Sequence, residues 1–140
     1  MWIVYALVSA SFAGLTAIFA KIGLNGVDST LATTVRSFIM AGFLGATALA
    51  LKKFQGFTLN SFSNNEWLFV FLSGIAGALS WLFYFYALKN GDTTVVSAID
   101  RLSIVFVMVF AGFILGEGFT VYKIAGVVLI TLGAFLTTIK

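Results

Sequence analysis

The stretch from Ser80 to Glu117, SWLFYFYALKNGDTTVVSAIDRLSIVFVMVFAGFILGE, decides what kind of protein this is. Two apolar runs are joined by the polar turn Lys89-Asn90-Gly91-Asp92, and a charged pair, Asp100-Arg101, lies a short way into the second run. A helix opening near Thr94 rises about 1.5 Å per residue, which sets the pair roughly 10 Å below a bilayer surface. Charge at that depth is costly and calls for a partner, a water-filled cavity or a route back to the interface. The stretch predicts a membrane protein with a polar interior rather than a greasy anchor.

Composition agrees. The 140 residues are 61% hydrophobic and 9% charged, with a mean hydropathy of +1.09, whereas about a quarter of the residues of a soluble domain are charged. The apolar runs predict an all-α integral membrane protein of five transmembrane helices, at about residues 2–22, 31–51, 67–88, 94–115 and 120–139. These make one transmembrane domain, 1–140, in the cell (inner) membrane. A net charge of +3, scattered along the chain, excludes nucleic acid as a partner. Cysteine and histidine are absent, so disulfides, thiol chemistry and the usual zinc ligands drop out, and neither metal nor cofactor is expected. The run from Trp2 has no basic leader and no convincing cleavage pattern, and reads as a retained helix.

Along the chain, small residues recur at helical spacing: Ser9, Ala13, Ala17 and Ala20 in the first span, and Ser37, Ala41, Gly45 and Ala48 in the second. Such faces let helices approach closely. Arg36 lies a turn or more inside the second span, on the membrane side of Asp100-Arg101 if all spans cross; it either snorkels or joins an internal polar site. Lys21 reads as an interfacial anchor. Residues 54–65, FQGFTLNSFSNN, alternate aromatic and polar groups as a segment at the headgroups would. The second half of the third span, Trp81 to Tyr86, is mostly aromatic. In the fourth span Asp100 and Arg101 point about 100° apart, so their partners are sought on other helices, with Arg36 or Lys89 as candidates for Asp100. Ser97 shares the Arg101 face and Ser103 the Asp100 face. Gly126, Gly133 and Ala134 make a seam on the fifth span suited to a subunit interface.

Five spans put the termini on opposite sides. Lys52, Lys53 and Lys123 fall on the amino-terminal side, and Lys21, Lys89 and Lys140 on the other, with Arg36 and Arg101 near that edge. The bias is small, which permits either orientation, with a lean towards a cytoplasmic carboxyl terminus.

Trp81-Leu82-Phe83-Tyr84-Phe85-Tyr86-Ala87-Leu88-Lys89-Asn90-Gly91-Asp92, then Val95 to Ser103, then Leu115-Gly116-Glu117, with Phe19-Ala20-Lys21 and Arg36 as weaker matches, carry a resemblance. The chain resembles a single-repeat member of the drug/metabolite transporter superfamily, EamA branch. In that family, ten-helix transporters of small metabolites consist of two five-helix repeats in opposite orientations. The resemblance implies one half of an inverted-repeat transporter, completed by an antiparallel homodimer of dual topology or by a related five-helix chain. Two departures stand out. Ala98 occupies a position where the family usually has proline, and the chain has none, which predicts unbroken helices. The first helix also lacks the embedded glutamate of the small multidrug-resistance relatives, so their proton-coupled export of cationic drugs does not carry over.

The leading expectation is transport of a small polar or zwitterionic metabolite, a small-molecule solute contacted by Arg36, Trp81, Tyr84, Ser97, Asp100, Arg101 and Ser103, in a protein otherwise in contact with membrane lipids. The alternatives are a structural or accessory subunit and a lipid-linked sugar carrier or flippase. An enzyme is not expected: Asp100 has no histidine, cysteine or nearby second carboxylate for acid–base work.

Overall fold

The computed structural model describes residues 1–58 and 61–139. Leu59 and Asn60 of the connecting segment, and Lys140 of the charge tally, lie outside the described residues. Among the described residues six helices form five spans: α1 Trp2–Gly23, α2 Ser29–Ala50, α3 Asn64–Asn90, α4 Thr93–Asp100, α5 Ser103–Ile114 and α6 Val121–Leu136. Helices α4 and α5 together make the fourth span. Four spans are long and apolar enough to cross a bilayer, and α6 is a shorter apolar helix of 16 residues, about 24 Å long. The protein is a multi-pass, all-helical integral membrane protein with no strand among the described residues.

Helix starts follow from side-chain chemistry. Asp28 and Asp92 adopt the same extended backbone, φ −67° and ψ 133°. Each carboxylate accepts from the first-turn amides of its helix: Asp28 from Leu31 N–H at 2.9 Å, and Asp92 from Thr94 and Val95 N–H at 2.9 and 3.1 Å. These amides have no partner inside the helix, so an acceptor at the cap stabilises the start. Helix α3 begins ahead of its apolar run because Ser63 and Glu66 close a capping box. The Ser63 amide donates to Glu66 Oε2 at 2.7 Å, and the Glu66 amide returns to Ser63 Oγ at 3.4 Å.

The ends are equally specific. At the end of α2, Lys52 N–H donates to the Leu49 carbonyl and Lys53 N–H to the Ala48 carbonyl, both at 2.9 Å. That pairing needs a left-handed residue, normally glycine; here Lys52 takes it at φ 56°. At the end of α5 the left-handed position falls on Gly116, φ 67°, and the chain turns back so that the Phe119 ring lies where a side chain on Gly112 would stand.

The chain divides into two compact units, Ile22–Lys89 and Met1–Lys21 with Asn90–Lys140. In the first unit Leu24, Phe85 and Leu88 are buried, together with Ser29 and Thr33. Its connecting segment and the first turn of α3 carry an edge-to-face series of rings, Phe54, Phe57, Phe62 and Trp67, with centroids 5.2 to 6.0 Å apart. In the second unit α6 packs against α4 and α5, and Ala17, Val127 and Ala134 are buried. Two lysines fasten loops within these units. Lys21 Nζ donates to the Gly91 carbonyl at 2.8 Å and Lys89 Nζ to the Val27 carbonyl at 2.9 Å. Each carbonyl immediately precedes a capping aspartate, Asp92 or Asp28, so the two loops are built alike. Lys21 is thus a loop clamp.

Few side chains are buried. The chain exposes 11010 Å², where a soluble monomer of 15.0 kDa would expose roughly 7,000 Å². Large apolar groups such as Phe12, Phe38, Phe69 and Phe113 stand more than 60% exposed. In water that surface would collapse or aggregate; in a bilayer, lipid covers it.

Candidate solute-binding site

Two groups of residues are placed, one in each unit. In the unit Ile22–Lys89, Arg36 leaves α2 two turns beyond its cap and brings its guanidinium over the Trp81 ring of α3, 3.8 Å from the centroid. Phe85 lies 5.4 Å from the same carbon. Trp81 is itself braced edge-on by Tyr84 and Phe85, with centroids at 5.6 and 5.9 Å. The spacing of 81, 84 and 85 puts these three on one face of α3, and buried Phe85 anchors that face. The aromatic half of the third span thus supplies a platform, and Arg36, half-buried, lies on it instead of snorkelling freely. Such a contact contributes about 0.5–2 kcal/mol, more as water is excluded.

A groove of about 480 Å³ opens along the same two helices, lined by Thr30, Thr33, Thr34 and Ser37 of α2 and by Ala78 and Leu82 among others on α3. Its polarity is largely internal. Thr33, Thr34 and Ser37 donate their hydroxyl protons to the carbonyls of Ser29, Thr30 and Thr33, at 2.7, 2.8 and 2.8 Å. Hydroxyls turned back onto their own helix leave a mainly apolar trough that an acyl chain can fill. The small-residue ladder at Ser37 and Ala41 forms part of this trough.

In the unit containing Asn90–Lys140, the fourth span carries Ser97, Asp100, Arg101 and Ser103 across an interruption that the absence of proline did not predict. Helix α4 ends at Asp100 and α5 starts at Ser103. Across the gap the amides of Arg101, Leu102, Ile104 and Val105 donate three residues back, to Ala98, Ile99, Arg101 and Leu102, at 2.9 to 3.1 Å. This is tight 3₁₀ winding, which brings residues three apart into line, as Asp100 and Ser103 are. Mid-helix 3₁₀ turns mark strained or hinge positions. Helix distortion here needs no proline ring, only a local change of hydrogen-bond partner. Ser97 is half-buried, while Asp100, Arg101 and Ser103 are exposed. Asp100 and Arg101 are adjacent charges of opposite sign that form no salt bridge with each other.

Of the small residues on α6, Ala134 is buried and Gly126 half-buried, while Gly133 is exposed. A Cβ atom built on Gly126 or Gly133 would meet nothing within 4 Å among the described residues. Sequence reasoning missed the lysine clamps and the broken fourth span. The clamps had a faint signal in the like turns Leu24-Asn25-Gly26-Val27-Asp28-Ser29 and Leu88-Lys89-Asn90-Gly91-Asp92-Thr93; the break had none.

Membrane-spanning helices carrying charges at depth, with a discontinuous span, define the class: a multi-pass membrane protein of the transporter type. The chain belongs to the EamA-like transporter family, whose description it matches over residues 1–139. It is also 40% identical, over 138 residues, to an uncharacterized transporter in the cobO 3′ region of a Sinorhizobium species, covering 99% of this chain and 96% of that one. No solved structure matches it. The family is one of transporters, not enzymes. Among the described residues no group of three or more histidine, cysteine or acidic side chains is gathered as a metal site would require.

Proposed function

We propose that the protein carries a small polar or zwitterionic metabolite across the membrane as an antiparallel homodimer of five-span subunits. Family membership and the five-span fold support transport in general. The observation that carries the solute class is the Asp100-Arg101 pair: adjacent, opposite in sign, both exposed, and set where the fourth span changes from α to 3₁₀ winding. Both charge signs together suit a solute that bears both, or one that offers donors and acceptors in balance. On this reading Ser97 and Ser103 add neutral hydrogen-bonding groups in the same unit, and in the unit Ile22–Lys89 Arg36, Trp81 and Tyr84 offer a cation on an aromatic wall. The antiparallel pairing is supported by the near-even distribution of lysines on the two membrane faces and by the large uncovered apolar surface.

Uptake into vesicles reconstituted with purified protein, with and without a pH gradient, tests the reading across a panel of amino acids, uncharged polyols and organic cations. Asp100→Asn and Arg101→Gln each abolish uptake while helix content and dimer fraction stay at the parent level. Variants that unfold, with uptake retained by conservative changes, would assign the pair to the scaffold and the chain to an accessory role.

A further inference from the structure

We propose that Arg36, held on Trp81, is an oxyanion-binding site that takes a carboxylate or phosphate group within the membrane. A guanidinium carries five N–H donors in a planar fork and stays charged at any physiological pH. The rings of Trp81 and Phe85 answer the charge through their quadrupoles, but a ring face has no lone pair, so the donors stay unanswered. Within the unit Ile22–Lys89, Arg36 has no hydrogen-bond acceptor and no carboxylate partner among the described residues. The two carboxylates of that unit are committed elsewhere. Asp28 caps α2 through the Leu31 amide, and Glu66 closes the box with Ser63. The lysine that shares the unit's loop end, Lys89, holds a backbone carbonyl.

Position makes the vacancy matter. Arg36 lies eight residues beyond the Asp28 cap, about 12 Å along the helix axis, at a depth where bulk water no longer repays the donors in full. The Trp81 platform, wedged by Tyr84 and Phe85, restricts the guanidinium and lowers the entropy lost on binding. A fork of fixed orientation matches the two oxygens of a carboxylate or phosphate, and such charge-assisted pairs are about twice as strong as neutral hydrogen bonds. An ammonium ligand would add donors where acceptors are needed, and a neutral hydroxyl would accept through one oxygen without the charge or the second oxygen that the fork matches. The ligand is therefore an oxyanion, either on a soluble metabolite or on a lipid headgroup. Its place in function rests on the transport reading; its existence does not.

The test is a binding measurement that needs no transport. In a Trp2→Phe, Trp67→Phe background Trp81 is the sole tryptophan, and its emission reports on the guanidinium lying over it. The protein is held in dodecyl maltoside micelles, which carry no phosphate, and titrated with acetate or inorganic phosphate against chloride at equal ionic strength. A second series adds phosphatidylglycerol to the micelles. A saturable emission change with a soluble oxyanion and not with chloride supports the site and a metabolite as its ligand. A change that follows phosphatidylglycerol alone supports the site with a lipid phosphate as its ligand. Arg36→Gln removes either response, and Arg36→Lys, which keeps the charge but loses the fork, weakens it about tenfold or more. No response in either series, or a response unchanged in Arg36→Gln, overturns the proposal. Binding with no uptake of any solute would leave the site standing and refute the transport reading instead.

Discussion

Replacing Asp92 with alanine tests how the fourth span is held. Helix α4 is eight residues long, capped at one end by Asp92 and ended at the other by the 3₁₀ step. Two turns are too few to be stable alone, because helix nucleation is unfavourable and so few bonds repay it. Asp92 supplies the acceptor for two first-turn amides, at 2.9 and 3.1 Å. Removing a capping side chain of this kind costs about 0.5–2 kcal/mol. In α4 that loss falls on a short element, so Thr94 and Val95 should exchange amide hydrogens faster by about 2- to 30-fold. Asparagine keeps an acceptor of similar rank, so Asp92→Asn should stay close to the parent. The same change at Asp28 acts on α2, a helix of 22 residues, and should be confined to its first turn. Fraying of α4 would displace Asp100, and solute uptake should fall in proportion for Asp92→Ala but not for Asp28→Ala. Hydrogen exchange by mass spectrometry in nanodiscs reads the amides, and vesicle uptake reads the function. Equal exchange in Asp92→Ala and Asp92→Asn would refute the cap as the support of α4. Equal loss of uptake in the Asp28 and Asp92 variants would refute the link from cap to site.

Other perturbations bear on separate parts of the fold. Lys52→Gly should stabilise the protein by about 1 kcal/mol, because glycine takes the left-handed end of α2 without the steric penalty of a lysine side chain; a lowered denaturation midpoint in mixed micelles would contradict this. A Cβ at Gly133 has open space around it, so in Gly133→Leu monomer stability should hold while the dimer fraction, followed by cross-linking at several lipid ratios, falls; an unchanged dimer removes α6 from the subunit contact. Trp81→Leu should destabilise the unit by about 0.5–2 kcal/mol more than Trp81→Phe, which keeps a ring beneath Arg36; equal unfolding midpoints would deny the cation–π contact a stabilising role. Lysines added beside Lys140 should move the carboxyl terminus to the cytoplasm, as read by labelling both termini in cells, and one firm orientation that survives such changes would count against dual topology.

Much of the molecule is legible without coordinates, because its strongest constraint is one-dimensional. In hydrocarbon each backbone amide must be bonded within its own segment, so runs of about twenty apolar residues can only be helices. The aromatic half of the third span and the charged residues Arg36, Asp100 and Arg101 were likewise visible as anomalies within apolar runs. Local chemistry fixes the helix starts in the structure, where Asp28, Asp92 and the Ser63–Glu66 box act on amides two or three residues away. Pairings between distant residues are another matter. That Arg36 rests on Trp81, 45 residues later, depends on how α2 and α3 bring side chains together, and hydropathy is the same for every rotation of a helix about its axis. The lysine clamps on Gly91 and Val27 depend on loop ends meeting across 70 and 62 residues. The interruption at Arg101-Leu102 is a choice between neighbouring carbonyls, four residues back or three, that differ little in energy and leave no mark in residue type. The sequence alone therefore determined the membrane and its apolar spans; only the tertiary structure decided that Arg36 faces Trp81, because that follows from helix rotation and packing rather than from composition.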